Sequence, residues 1–175
     1  LDVAQNMLGR VAVGLAEVFN AQHMLGVDLD GNAGVAFFNA PQPHVLPSRN
    51  IAASGMPTVS VDDVGGLTPY DYELRFDGTE WTLRSLPGRQ PVGTITPPGD
   101  TLTAHGLEID ISAVSGATAG DYFLIRPTRN AAAEISVAID DPRLVAASGG
   151  GGPGDNTNAL ALSALREARV MNGGN

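Results

Sequence analysis

Alternating polar side chains early in the sequence have the types that bind calcium. Asp28, Asp30 and Asn32 occupy every second position, as the first ligands of an EF-hand loop do. Such a loop also needs glycine at its sixth position and glutamate at its twelfth, where this sequence has Ala33 and Asn39. We therefore interpret the segment as a polar turn that follows a helix.

Histidine, another common metal ligand, occurs at three isolated positions. His23 falls at the end of a helical pattern, His44 in a proline-rich segment and His105 at a turn. None has a histidine or carboxylate at a spacing that preassembles a metal site. The absence of cysteine also removes thiolate ligands and disulfides. The sequence predicts no metal site and no cofactor.

Carboxylates at two places offer the pair of acids that a glycoside hydrolase uses. Asp62 and Asp63 are adjacent at the end of a predicted strand, and Glu108 and Asp110 are two residues apart. The second pair alternates with apolar residues, as the exposed side of a strand does. No Gly-x-Ser-x-Gly sequence is present. We predict no catalytic residue, and keep a hydrolase that uses Asp62, Glu108 or Asp110 as an alternative.

Aromatic side chains suggest a second alternative, a carbohydrate-binding or adhesin-like β module on a helical stalk. Trp81 with Tyr70 and Tyr72 would form a platform on which a sugar stacks. These residues fall on the apolar face of a predicted hairpin, which favours a place in the core. Loss of glycan binding in a Trp81→Ala variant would support the alternative.

Charge and composition exclude several classes of partner. The net charge is −9, and all ten basic residues are arginines scattered along the chain, so no basic stripe forms for nucleic acid or an anionic membrane. No apolar run approaches the length of a membrane-spanning helix. The sequence begins with Leu1 inside a helical pattern and shows no secretory signal, so we expect an excised fragment.

A helical pattern with heptad spacing covers residues 1–26. One core position holds Leu1, Leu8, Leu15 and Gln22, and the other holds Ala4, Val11, Val18 and Leu25. This spacing is typical of a helix that packs lengthwise on other helices. We predict a helical stem whose packing residues on this helix are Leu1, Leu8, Val11, Leu15, Val18 and Leu25. A Leu15→Asp substitution is then expected to collapse the stem and leave the β structure folded.

Strand patterns dominate the middle of the chain. Residues 27–57 carry four prolines and are predicted to be a connector loop. Residues 58–148 show short alternating runs, with a hairpin turn at Asp77-Gly78. The predicted core of this β domain comprises Tyr72, Leu74, Phe76, Trp81, Leu83, Ile109, Phe123 and Ile125.

The end of the sequence returns to a helical pattern. Residues 149–155 are predicted to form a glycine-rich hinge, and residues 156–175 a returning stem helix that packs through Ala161, Leu162, Leu165 and Ala168. The predicted fold class is therefore α+β. A mainly antiparallel β domain, a sandwich or a partly open barrel, is inserted between two long helices of a helical stem.

Several local strings, in order, resemble one protein family, the flagellar hook-associated proteins of the hook–filament junction (FlgK type). They are LAEVFNAQH at 15–23, GVDLDG at 26–31, GVAFF at 34–38, YDYEL at 70–74 with Trp81, GDYFLIRPTRNAA at 120–132 and GDNTNAL at 154–160. The resemblance extends over essentially the whole chain. The family's terminal coiled-coil segments have no counterpart here, so we expect a monomer that does not polymerise.

The resemblance implies a non-enzymatic structural protein that acts as an adaptor between the hook and the filament. It implies self-association in a ring or helical axial array, with the hook protein and the second junction protein as partners. It also implies an export chaperone that binds outside this sequence, export by the flagellar type III apparatus, and a place in the extracellular flagellum. No active-site residue is carried over from the family.

Overall fold

A long amphipathic helix and three antiparallel sheets make up the computed structural model, which describes residues 2–97 and 99–167. The helices are α1 Asp2–His23, α2 Ala131–Glu134 and α3 Thr157–Ala164. The strands are β1 Phe38–Asn39, β2 His44–Pro47, β3 Thr58–Val61, β4 Asp71–Phe76, β5 Trp81–Leu86, β6 Pro91–Ile95, β7 Thr101–Ala104, β8 Leu107–Asp110, β9 Tyr122–Arg126 and β10 Ser136–Val137. The predicted mixture of helix and antiparallel sheet is confirmed.

The largest sheet has five strands in the order β2-β9-β4-β5-β6. Its centre is the hairpin of β4 and β5, in which Phe76 lies opposite Trp81. Asp77 closes the turn, because its carboxylate accepts hydrogen bonds from the amides of Thr79 at 2.7 Å and Glu80 at 2.9 Å. The predicted hairpin is therefore confirmed, with a loop of four residues between the strands.

A three-stranded sheet, in the order β3-β8-β7, packs across from the five-stranded sheet, and the two are not closed into a barrel. Alternating side chains from both sheets meet in one apolar cluster. Seven of the side chains predicted for this core are at most 3% exposed: Tyr72, Leu74, Trp81, Leu83, Ile109, Phe123 and Ile125. Phe76 is partly buried against the same cluster.

The segment 27–57 is not the connector loop that its prolines predicted. Strand β2 pairs with β9 in the five-stranded sheet, and β1 pairs with β10 in a two-stranded sheet. Because β2 lies at the edge of the sheet, no further strand pairs with its outer side. Pro47, which has no backbone N–H, therefore removes no hydrogen bond there. The β structure accordingly recruits strands from before residue 58.

The predicted second long helix is short in the part of the chain that the structure describes. Helix α3 has eight residues and continues as one 3-10 turn, Leu165–Glu167. Leu1 and Ala168, both predicted to pack in the stem, lie outside the described residues. None of the described helices is long and apolar enough to cross a membrane.

The glycine-rich segment 149–155, predicted as a hinge, is tied together by one carboxylate. Asp155 accepts hydrogen bonds from the amides of Gly149 at 2.7 Å, Gly151 at 2.8 Å and Thr157 at 3.0 Å. The hydroxyls of Ser148 and Thr157 donate to it at 3.0 and 2.8 Å. These bonds, foremost that from the Gly151 amide, hold the pKa of Asp155 far below its ordinary value.

We predict that an Asp155→Asn substitution frees this segment, because an amide has a single acceptor oxygen for these donors. Amide hydrogen exchange at Gly149 and Gly151 should become faster in the variant. In the wild-type chain the protection should be complete above about pH 4, the ordinary pKa of aspartate. It should be lost as the pH falls through the lower pKa of the folded state. An exchange profile that is the same in both proteins would contradict the assignment.

Candidate functional site

Helix α1 presents two different faces, each with heptad spacing. The buried face carries small and polar residues: Asn6, Gly9, Val13, Ala16, Asn20 and His23. The exposed face carries the apolar series, with Leu8 61%, Val11 51% and Leu15 49% exposed, and Leu25, two residues beyond the end of the helix, is 75% exposed. We call the surface formed by Leu8, Val11, Leu15, the half-buried Val18 and Leu25 the apolar stripe.

The fold of this chain leaves most of the apolar series exposed, so its packing in a stem stays a prediction that needs helices of other chains as partners. The buried face lies on the opposite side of α1, where small residues let the helix approach other backbone closely and amide side chains replace apolar contacts with hydrogen bonds. Val18 is half-buried, as are Ala161, Leu162 and Leu165 on the returning segment. Leu15→Asp is accordingly not expected to collapse the fold.

At its first turns, α1 docks on the segment that follows β9. The side-chain amide of Asn6 donates to Asp71 Oδ1 on β4 at 3.0 Å, and the Thr128 hydroxyl donates to the backbone carbonyl of Asn6 at 3.2 Å. A Cβ atom on Gly9 would lie 1.7 Å from the Thr128 carbonyl oxygen. Glycine at this position therefore permits the contact.

In the last turn of the helix, Asn20 acts as a bracket for the chain that returns along α1. Its side-chain oxygen accepts from the amides of Phe37 and Phe38, both at 2.8 Å, and its nitrogen donates to the Phe38 carbonyl at 2.9 Å. The rings of Phe37 and Phe38 pack on Phe19 with centroids 4.9 and 5.3 Å away. This bracket aligns β1 with the helix.

At the end of α1, His23 joins three segments through its ring. Its Nε2 accepts from the Ala146 amide at 2.9 Å, so Nδ1 carries the proton that is donated to the Val35 carbonyl at 2.6 Å. Asn158 of α3 donates to the Ala146 carbonyl at 2.6 Å and accepts from Gln22 at 2.7 Å. The returning helix is thereby coupled to the first.

We predict that His23→Ala lowers the free energy of unfolding by about 3 kcal/mol, because the ring is fully buried and two backbone groups lose their partners. Urea unfolding followed by circular dichroism measures this change. The matched control is His44→Ala, which removes a surface pair with Glu134 and should cost less than about 1 kcal/mol. Equal losses in the two variants would contradict the role of His23.

The turn predicted from Asp28, Asp30 and Asn32 is a polar turn in the structure. Asp28 Oδ1 accepts from the amides of Asp30 and Asn32, each at 2.8 Å, and the bond from the Asn32 amide is the main cause of a lowered pKa of Asp28. Asp30 pairs with Arg143. Within residues 2–97 and 99–167, no group of three or more histidines and carboxylates is placed to hold a metal ion.

The candidate acids for hydrolysis serve turns and a strand. Asp63 accepts from the Gly65 amide at 2.8 Å and begins a 3-10 turn, and Asp110 accepts from the Ser112 amide at 2.7 Å. Glu108 is exposed and lies opposite Ser60 and Thr103 in the three-stranded sheet. None of these contacts brings two of the acids Asp62, Glu108 and Asp110 to face each other.

The aromatic side chains proposed for sugar stacking belong to the core. Trp81 is 3% exposed and packs between Phe76 and Phe123, with ring centroids 5.1 and 5.6 Å away. Tyr72 is 1% exposed, and only Tyr70 reaches the surface. The structure therefore removes the platform on which the carbohydrate-binding alternative depended.

Two family models match this chain. Residues 1–38 match the model described as the flagellar hook-associated protein FlgK helical domain. Residues 46–127 match the model described as flagellar hook-associated protein 1, D2-like domain. The first covers α1 and the bracketed return, and the second runs from the end of β2 through β9.

Sequence relatives and a solved structure show the same likeness. Flagellar hook-associated protein 1 of Salmonella typhimurium (strain LT2) is 31% identical over 182 residues, which is 99% of this chain and 32% of the relative. The Escherichia coli (strain K12) protein of that name is 30% identical over 177 residues, with the same shares. The flagellar hook junction protein FlgK of Burkholderia pseudomallei has a TM-score of 0.75 and 37% identity, over 84% of this chain and 27% of that one. The chain thus spans about a third of the length of the curated relatives.

Proposed function

Because this chain belongs to the FlgK family of flagellar hook-associated proteins, we propose that it is part of a structural axial protein that joins the hook to the filament. The apolar stripe on α1 is the observation that carries the proposal. A helix anchored to the chain by one face and apolar on the opposite face is suited to pack against helices of neighbouring subunits.

In this proposal the stripe supplies the contacts between subunits, and Ala161, Leu162 and Leu165 of the returning segment add to them. Self-association in a ring or helical array would cover the half-exposed leucines and valines. The hook protein and the second junction protein are the proposed neighbours at either end of that array. The β sheets, which pack on the other face of α1, would lie farther from the axis.

The proposed work of the protein is mechanical, and we assign it no catalysis. We further propose export by the flagellar type III apparatus with help from a chaperone that binds outside this chain, and a final place in the extracellular flagellum. The isolated chain should be monomeric, because its net charge of −9 opposes the approach of copies. Sedimentation equilibrium would test this through the molar mass.

Deletion of the full-length gene in the source bacterium tests the junction role. Electron microscopy of the mutant cells should show hooks without filaments, and immunoblots should detect flagellin shed into the medium. Complementation with the full-length gene should restore filaments. Mutant cells that carry normal filaments would refute the proposal.

A further inference from the structure

A groove of about 540 Å³ lies between the first turn of α1 and the outer face of the five-stranded sheet. Its apolar lining comes from Val3, Leu86, Pro87 and Leu124. Its polar lining comes from Asp2, Asn6, Asp71, Arg126 and Arg129. The groove shares no residue with the apolar stripe, and the Asn6–Asp71 hydrogen bond that anchors α1 forms part of its wall.

Two arginines in this groove have hydrogen-bonding capacity to spare. The Nε atoms of Arg126 and Arg129 are buried and have no hydrogen-bond partner among the described residues. Such unpaired buried donors are uncommon in folded proteins, where buried polar atoms bond to other protein groups, ordered water or an ion. Arg126 is the last residue of β9, and Arg129 lies in the segment after it that Thr128 locks onto α1, so the backbone positions of both are fixed.

The carboxylates nearby compensate the two cations unequally. Arg129 pairs with Asp2 at 2.9 Å and also with Asp71, which Asn6 holds in place. Arg126 has Asp71 as its nearest carboxylate, at 3.9 Å, beyond hydrogen-bond range. The side chain of Asp71 is 4% exposed and its oxygens are engaged by Asn6 and Arg129, whereas that of Arg126 is 33% exposed. Arg126 is therefore the cation that remains available to a ligand.

We infer that this groove binds a peptide segment of a partner protein in which a glutamate or aspartate adjoins an apolar residue. The carboxylate would accept hydrogen bonds from the guanidinium of Arg126, an arrangement that arginine favours with carboxylates. The neighbouring apolar side chain would cover Leu86, Pro87 and Leu124. This assignment does not depend on the junction role, since it rests on the groove alone.

A titration of the ¹⁵N-labelled chain with acetyl-Leu-Glu-Leu-amide tests the inference. Amide signals of residues 86, 124, 126 and 129 should shift in a saturable way. The matched probe acetyl-Leu-Gln-Leu-amide should bind at least tenfold more weakly, because a neutral amide forms no charge-assisted bond with a guanidinium. Raising the salt concentration should weaken only the binding of the glutamate peptide.

Variants distinguish the groove from general attraction to arginine. Arg126→Gln should weaken binding of the glutamate peptide at least tenfold, and its unperturbed spectrum elsewhere would show that the fold is kept. Arg84→Gln is the matched control, because Arg84 lies on β5 outside the groove lining, and it should bind as the wild type does. Equal binding of the two peptides, or equal binding by the Arg126→Gln variant, would overturn the inference.

Discussion

Replacing Gly9 with alanine is expected to lower the free energy of unfolding by about 3 kcal/mol, the opposite of its usual effect in a helix. The added Cβ would lie 1.7 Å from the Thr128 carbonyl oxygen and 2.7 Å from the carbonyl carbon. Both are backbone atoms, so no rotamer change relieves the overlap. Either α1 or the segment after β9 has to move, and the bond from Thr128 to the Asn6 carbonyl is then strained.

The matched control is Gly14→Ala in the same helix. A Cβ at that position meets only the Val64 side chain, at 3.4 Å, which is ordinary contact. The free energy of unfolding should therefore rise by as much as about 1 kcal/mol through helix propensity. Urea unfolding of both variants measures the two changes. A Gly9→Ala variant as stable as Gly14→Ala would show that α1 does not dock closely on Thr128.

The sequence predicts helix α1 itself but not which of its faces is buried in this chain. Heptad spacing predicts a long helix with a packing face, and α1 forms over Asp2–His23. The same spacing occurs twice, once in the apolar series and once in the series from Asn6 to His23. Hydrophobicity alone favours the first series, but burial in this chain follows the second, because its partners are backbone groups from distant segments. Those partners are not visible in a local pattern.

The β structure was predictable where its signals are local. Strand alternation and the Asp-Gly pair locate the hairpin of β4 and β5, and alternating apolar residues identify its core. Strand β2 was missed, because its proline-rich sequence forms a strand only by pairing with β9, nearly 80 residues later. The two-residue strands β1 and β10 likewise depend on the bracket formed by Asn20.

The groove beside Arg126 also depends on contacts between segments that are distant in the sequence, so the sequence alone does not predict it. Val3 and Asn6 come from α1, Leu86 and Pro87 from the end of β5, and Arg129 from the chain after β9. No spacing in the sequence relates these three segments. The string from 120 to 132 carries both arginines and contributes to the family resemblance, but it does not indicate a cavity.

Replacing Leu15 with aspartate in the full-length protein is expected to abolish filament formation while this chain remains folded. Leu15 is 49% exposed at the centre of the apolar stripe, so a charge there costs this chain only about 1 kcal/mol. In the proposed subunit contact the same charge would be buried without a partner, which costs several times more. Cells that carry this variant should have hooks without filaments, as electron microscopy would show.

Two controls separate loss of the contact from loss of the protein. Ala21→Asp adds the same charge at an exposed position of α1 outside the stripe, and filaments should remain. Leu15→Met keeps an apolar side chain of similar volume and should also preserve them. Circular dichroism of the purified Leu15→Asp chain should match the wild type. Normal filaments with Leu15→Asp would show that α1 meets its neighbours through another face. An unfolded Leu15→Asp chain would mean that the stripe supports the fold itself, as its apolar heptads first predicted.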